Sequence, residues 1–386
     1  MKLELTEDQR ALRAEFRAFA AAEIAPHADR WDREAAIPRS LIEALRERRY
    51  LGSNVPTEYG GIGRDMIAYG LLTEEIARAC SSVRSLLTVH DMVAHAILRW
   101  GSREQKERFL PALARGEVLG ALALSEPNAG SDAQSVETTA VAAGDAGGAG
   151  AAGDDWVLDG HKKWTTFGRI AGLFLVLARC QGSLTTFLVE RESPGLTVRP
   201  LDGVWGTRAS MLAALSFDGC RVPKAHLLGR IGFGLSHVIA AALEQGRYSV
   251  AWGAVGIGQA CLDACRAYTA ERRQFGVPLA DHQLIRRMLT DMIVNVRAAR
   301  LLCLRAGWLR GQRDPGAFME TMAAKYFAST MAVRAANDAV QIHGANGMSD
   351  DYPVGRYLRD AKVTEIIEGS TQIQQITLPL FDFQEF

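Results

Sequence analysis

The feature that most constrains this chain is a change of period near residue 118. Before it, and again from about residue 232, apolar residues recur at helical spacing. Between the two, "GALALSEP", "DWVLDGHKKWTT", "GLFLVLARC", "LTTFLVERESPGLTVRPL" and "AALSFDGCRVP" are short apolar or alternating runs bounded by Gly, Pro and Asp. That is strand patterning. The strands follow one another with no helices between them, and parallel neighbours need long crossover connections. The pattern therefore predicts an α+β protein in three parts: an N-terminal helical domain over 1–117, an antiparallel β-barrel or sandwich over 118–230, and a C-terminal helical bundle over 231–386.

Within the first part, "TEDQRALRAEFRAFAAAEI" sets Leu12, Phe16 and Phe19 on one face, with Thr6 and Gln9 placed as a capping box. Further helical segments follow around Ile42–Arg48, Met66–Ala79, Ser85–Trp100 and Arg103–Ala114, and "VPTEYGGIG" reads as a turn-rich loop. In the third part, "QLIRRMLTDMIVNVRAARLLCLRAGWLRG" carries Leu284, Met288, Met292 and Val296 at i, i+4 spacing and is predicted to stop at Gly311. A second long helix is predicted to end near Gly344. Two such helices with a short connection predict an antiparallel bundle. The low-complexity run "AAGDAGGAGAAGDD", 142–155, reads as a flexible hairpin tip.

Composition narrows the function classes. Hydrophobic residues make up 48%, charged residues 23%, and the formal net charge is zero. These values point to an ordinary globular protein and away from a polybasic nucleic-acid or lipid binder. No apolar run reaches the roughly 18 residues of a membrane span. The opening "MKLELTEDQRALRAEF" has no signal-peptide block, and the six cysteines are scattered. Reduced thiols and a cytoplasmic location are expected.

Several motifs could carry chemistry. "LSEPNAGSD" (124–132) packs small polar residues into a turn after an apolar strand; converging N–H groups and hydroxyls there suit a polar or heteroaromatic ligand, though composition alone favours a plain turn. In "HKKWTTFG" (161–168), Trp164 could lie on a planar ring while threonine hydroxyls reach its edge, or it could be core. Arg272 and Arg273 of "ERRQFGVPLADHQ" could hold a phosphate or carboxylate, against the plainer reading of a solvated charged face. "QIHGANGMSDDYPVGRYLRDAK" breaks a helix with glycines that serve a turn or a close ligand approach. The G-x-G of "AVGIGQACLDAC" has no preceding strand, so small residues at a helix contact are expected there. Cys261 and Cys265 lack companion ligands, and no metal site is expected. In "VTEIIEGSTQIQQ", Glu368 precedes a glycine and follows two isoleucines that would exclude water from it.

Taken in this order, the motifs resemble the acyl-CoA dehydrogenase family over nearly the whole chain. The resemblance implies FAD bound between the β domain and the C-terminal helices, with the site completed by a neighbouring subunit in a homodimer or tetramer. It implies that Ser125 and Ser131 of "SEPNAGSD" face flavin and thioester, with Leu122 on the strand before them. It places Trp164, Thr165 and Thr166 of "KKWTT" at the isoalloxazine ring. Arg272, Gln274 and Phe275 of "ERRQFG", with Gln283, would meet the pyrophosphate of the partner subunit's FAD. Gln341, Gly344 and Ala345 of "QIHGANG" would lie at the adenosine end. In "IEGSTQIQ", Glu368 falls on the catalytic base and Ser370 and Gln372 on flavin contacts, and "GRY" places Arg247 behind the base. Ser131, Arg247 and Glu368 would also touch substrate.

The chain departs from the family pattern at Ala345 for a glycine, Phe167 for an Asn, Ile367 for an aromatic and Gln375 for an Arg. These departures point away from a standard fatty-acyl substrate. "SSVRSLLTVHDMVAHAI" and "AKVTEIIEGSTQ" resemble a branch serving polyketide and antibiotic biosynthesis, which oxidises a hydroxylated three-carbon acyl group on an acyl carrier protein toward hydroxymalonyl or methoxymalonyl extender units. The expected chemistry is α-proton abstraction by Glu368 with β-hydride transfer to flavin, the thioester oxygen being held by the Glu368 N–H and a flavin hydroxyl. Electrons would leave to a flavoprotein or to oxygen. An ordinary short-chain acyl-CoA dehydrogenase is the nearest rival. Retention of Glu368 disfavours a flavin monooxygenase of the same fold, and the flavin motifs disfavour a non-catalytic scaffold.

Overall fold

The computed structural model describes residues 4–145 and 155–382. Six helices come first: α1 (Glu7–Phe19), α2 (Ala28–Glu34), α3 (Arg39–Glu47), α4 (Met66–Ala79), α5 (Ser81–Trp100) and α6 (Arg103–Ala114). Helix α1 starts where the capping box predicts. The Thr6 hydroxyl accepts from the Gln9 N–H, and the Gln9 side chain accepts from the Thr6 N–H. Its Phe16 and Phe19 are buried, while Arg13 and Arg17 reach the buried Glu74 and Glu75 of α4. Helices α4 and α5 are covered on nearly all sides, so their carboxylates and Arg84 are interior groups.

The strands are β1 (Gly120–Ala123), β2 (Thr139–Ala142), β3 (Trp156–Thr165), β4 (Leu173–Cys180), β5 (Ser183–Glu190), β6 (Leu196–Pro200), β7 (Ala213–Val222) and β8 (Leu227–Leu228). Among the described residues they form one sheet in the order β6-β7-β3-β2-β4-β5-β8, with β1 also on β4. Most pairings are antiparallel, but β1 and β2 each run parallel to β4. Here the strand pattern is only partly right. A parallel pairing needs a long connection rather than a helix, and the β2–β3 excursion supplies it. Ala142 pairs with Trp156 across the low-complexity run, whose predicted hairpin tip, residues 146–154, lies outside the described residues.

Helix α7 (Ala240–Glu271) leads into a short hairpin, β9 (Arg273–Gln274) and β10 (Val277–Pro278), then α8 (Gln283–Gln312), α9 (Ala317–His343), α10 (Val354–Ile366) and α11 (Thr371–Asp382). Helix α8 runs one residue past Gly311 and stops where Arg313 turns left-handed. Met292 and Val296 are buried but Leu284 is 70% exposed. Each i, i+4 step rotates the face by roughly 40°, so that spacing drifts out of the core over three steps. The six cysteines are free and buried, and Cys261 and Cys265 lie in the core. No helix among the described residues is long and apolar enough to cross a membrane.

The glycines of α7 set how closely its neighbours approach. A Cβ on Gly256 would lie 2.3 Å from the Glu74 carbonyl oxygen of α4, and one on Gly258 would lie 2.8 Å from Met331 Sδ of α9. Gly256→Ala is expected to destabilise the fold by about 1–3 kcal/mol. Gly311→Ala, with no atom within 4 Å of its Cβ, is expected to be neutral or to stabilise by up to about 1 kcal/mol. Urea unfolding of the two variants against wild type checks both signs.

Candidate active site

Helix α10 ends as Ile367 donates to the Val363 carbonyl at 3.1 Å. Glu368 (φ 57°) and Gly369 (φ 88°) then turn left-handed, and the Ser370 hydroxyl caps α11 by accepting from the Ile373 N–H. For Glu368 this conformation costs about 1–2 kcal/mol. The turn is held from outside. Arg247 Nε donates to the Glu368 carbonyl at 3.0 Å, Lys325 Nζ to the Gly369 carbonyl at 2.7 Å, and Gln374 Nε2 to the same oxygen at 3.2 Å. No protein acceptor takes the Glu368 N–H among the described residues.

The carboxyl lies against α7. A Cβ on Gly246 would come within 2.7 Å of both Glu368 Oε2 and Met92 Sδ of α5. Glu368 as a residue is partly exposed, yet its Oε2 is closed to solvent and has no hydrogen-bond partner. The shelter is not the predicted one: Ile366 is 59% exposed and Ile367 partly so, and the carboxyl packs instead against Gly246 and Met92. Burial pushes the carboxyl up to about 7, against the opposing pull of Arg247, Lys325 and Arg84. A carboxyl in that range is ionised in part at neutral pH and basic enough to take a proton.

A polar seam leads away from this carboxyl between α5 and α7. Met92, Thr88 and Arg84 follow at helical spacing on α5, and they face Gly246, Ser249 and Gly253 on α7. The Thr88 and Ser249 hydroxyls lie 2.6 Å apart. The Arg84 guanidinium is fully buried, bonds Thr88 Oγ1 and Ser81 Oγ, and has no partner at Nε. Sequence reading missed this set, together with Lys325 and Gly246. Arg84 and Lys325 carried a signal nonetheless, since each is a lone charge within an apolar helical run.

On the β side, Leu122 sits half-buried on β1 opposite Leu175. The "SEPNAGSD" turn is pinned by Glu126, whose buried carboxylate pairs with the buried Lys162 at 2.6 Å. The Lys163 N–H donates to the Ser125 carbonyl, tying the turn to β3. Ser125 is half-buried and Ser131 exposed. Trp164 takes φ 65°, is 51% exposed, and has Lys163 Nζ 4.7 Å from its ring centroid. The Thr165 hydroxyl is buried without a partner, and Thr166 is half-buried. Phe167 is buried in the core. The loop after β6 docks this layer onto α10: Thr207 N–H donates to Asp360 Oδ1 at 2.6 Å, and a Cβ on Gly206 would lie 2.2 Å from the Arg359 carbonyl.

The remaining motif residues lie elsewhere. Arg272 caps the far end of α7, Gln274 and Phe275 sit exposed on the following hairpin, and Gln283 opens α8. Gln341, Gly344 and Ala345 are exposed at the end of α9. A cavity of about 650 Å³ lined by Arg272, Tyr268, His343 and Asn346 brings these two motifs together. Arg272 is twenty-six residues from Gly246, about 40 Å at the helical rise. Within one chain the structure therefore does not bring this group to Glu368. Gln372 is exposed on α11 beyond Ser370.

Models of the acyl-CoA dehydrogenase N-terminal, middle and C-terminal domains match residues 6–117, 121–220 and 233–378. The chain belongs to the acyl-CoA dehydrogenase family. It is a FAD-dependent dehydrogenase. Among curated relatives, the probable acyl-CoA dehydrogenase YngJ of Bacillus subtilis is 38% identical over 98% of each chain. Among solved structures, the butyryl-CoA dehydrogenase of Megasphaera elsdenii superposes with a TM-score of 0.93 at 32% identity, covering 99% of this chain and 100% of that one. FkbI, described for biosynthesis of the methoxymalonyl extender unit of the polyketide Fk520, superposes with a TM-score of 0.86 at 32% identity, covering 96% and 99%. In this acyl-CoA dehydrogenase the half-exposed Trp164 and the orphaned Thr165 hydroxyl fit a planar heteroaromatic cofactor.

The raised Glu368 carboxyl has a stability sign. Its folded pKa lies above its unfolded value, so the folded form binds the proton more tightly and loses stability as pH rises through about 7. The difference in unfolding free energy between Glu368→Gln and wild type is expected to shift in the variant's favour as pH rises from about 5 to about 8, because only wild type loses the contribution of the bound proton. Urea unfolding of the variant and wild type at the two pH values reads the difference.

Proposed function

We propose that this dehydrogenase acts on a short acyl thioester bearing oxygen, a hydroxylated three-carbon acyl group on an acyl carrier protein, as a step toward polyketide extender units. The observation that carries this reading is the polar seam beside Glu368. An acyl chain leaving the base along α5 and α7 would run toward the buried Arg84 guanidinium, whose Nε has no partner, past the Thr88 and Ser249 hydroxyls that bond each other. A hydrocarbon leaves that Nε unsatisfied, whereas a hydroxyl or carbonyl oxygen on the acyl group can accept from it. The likeness to FkbI supports the same branch. The likenesses to YngJ and to a butyryl-CoA dehydrogenase support the second reading, an ordinary short-chain enzyme using CoA.

On the proposed roles, Glu368 removes the α-proton, Arg247 holds the base's backbone, and the Glu368 N–H donates to the thioester oxygen as charge develops there. Bound FAD supplies the hydride acceptor. Ser125, Ser131, Trp164, Thr165, Thr166, Ser370 and Gln372 would hold the flavin, with Leu122 beneath. Arg272, Gln274, Phe275, Gln283, Gln341, Gly344 and Ala345 would serve the FAD of a second copy in a homodimer or tetramer. Loss of the α-proton and of a β-hydride from a carbon bearing hydroxyl leaves an enol, which tautomerises to a carbonyl. The electrons then pass to a flavoprotein or to oxygen.

Anaerobic titration of the holoenzyme tests the reading by flavin bleaching. Hydroxylated three-carbon thioesters on acyl carrier protein are expected to bleach the flavin at least about tenfold faster than butyryl-CoA, the equivalent of roughly 1.4 kcal/mol. Bleaching by simple acyl-CoAs alone would establish the short-chain reading instead. Glu368→Gln is expected to abolish bleaching with every substrate; near-normal reduction would remove Glu368 as the base.

A further inference from the structure

Lys325 is a fully buried lysine in the middle of α9. The motifs read in the sequence do not include it, and the proposed chemistry gives it no role. Its ammonium forms no ion pair among the described residues; it donates to the Gly369 carbonyl at 2.7 Å. Glu365 of α10, the other nearby acid, is taken by Lys362 at 2.7 Å. An ammonium shut away from water with only a carbonyl for a partner is unfavourable unless another negative charge compensates it. The acid left to do so is Glu368, one residue before the bonded carbonyl.

We propose that Lys325 is a positioning residue for the base: its bond to the Gly369 carbonyl, beside the Arg247 bond to the Glu368 carbonyl, locks the left-handed turn that presses the carboxyl against Gly246, and its charge keeps that carboxyl ionised. The two carbonyls belong to the two residues with positive φ. Because Glu368 has a side chain that disfavours this conformation, the turn needs holding from both sides. The cations arrive from different helices: Arg247 from α7, Lys325 from α9 and Arg84 from α5. Arg247 and Lys325 reach the backbone, so their charges stay in place whatever the acyl group does. Lys325 itself is faced by Glu368, Arg247 and Glu365. Burial lowers it to about 8, above neutrality, so it carries its proton where the base must be ionised.

The test separates bond from charge. In Lys325→Gln a donor can remain for the Gly369 carbonyl but the charge is gone. In Lys325→Met both are gone. Lys325→Arg keeps both. The readout is the rate of anaerobic flavin reduction against pH in the holoenzyme, with whichever thioester reduces wild type. Removing a positive charge beside a carboxylate raises its pKa, so the acid limb is expected to move up by about one unit in Lys325→Gln, a tenfold loss of rate on that limb. At pH 9 this variant is expected to approach wild type. Lys325→Met is expected to show the same shift and a further loss of about tenfold at high pH, with KM little changed because Lys325 does not touch substrate. Lys325→Arg is expected to restore the limb. An acid limb that stays in place in Lys325→Gln, with only thermal stability or KM altered, overturns the proposal. Should Lys325→Met fail to fold as holoenzyme, the Gln and Arg variants decide it alone.

Discussion

Close approach to helix α7 is the constraint on which the rest of this structure depends. Its glycines let four neighbours come nearer than any Cβ would permit: the Glu368 carboxyl at Gly246, Arg84 at Gly253, the α4 backbone at Gly256 and Met331 of α9 at Gly258. A helix interior rich in glycine is intrinsically poor, by about 1 kcal/mol for each glycine relative to alanine. The compensation is tertiary, since the surfaces brought together are almost entirely buried. One helix thereby serves both as the axis of the bundle and as the floor under the Glu368 carboxyl. Substitution along it would affect stability and site geometry together.

The same closeness explains the charge arrangement. Glu368 sits where water is excluded by packing, which alone would make ionisation too costly for a base at neutral pH. Three cations from three helices offset that cost without forming a close ion pair with the carboxyl. A direct salt bridge would have pulled the carboxyl well down and occupied its oxygens. Holding two of the cations on backbone carbonyls keeps the field while leaving Oε2 without a partner. Geometry, rather than the identity of the acid, tunes the group into the range useful for taking a carbon-bound proton.

Much of this was legible in the sequence where the signal is local. The Thr6 and Gln9 capping box, the helix ends near Gly311 and Gly344, and the helix-contact reading of the G-x-G all follow from neighbouring residues. The parallel pairings of β4 were not legible, because register between distant strands is decided by packing and connection length. Glu368 was singled out by its motif, but its shelter was misassigned to Ile366, which points outward. The true shelter, Gly246 and Met92, lies more than a hundred residues away in sequence and carries no periodic mark. Lys325 and Arg84 were visible as charges inside apolar helices, but a single sequence does not say which buried partner such a charge faces.

The separation along α7 bears on assembly. Glu368 lies at the Gly246 end of α7, while Arg272 and Phe275 lie at the opposite end, where Arg272 shares a cavity with the "QIHGANG" turn. If both groups serve FAD, as proposed, they serve different molecules of it, because a rigid helix does not fold back to join its ends. Phe275 is 93% exposed and Leu284 70% exposed on the segment that would reach outward. Apolar groups clustered at one motif suit burial against another surface. In the proposed homodimer, a second copy related by twofold symmetry would present its own Glu368 region as that surface and receive the same contact in return. On these roles each site needs two chains, so cofactor retention and association of the subunits would be linked equilibria.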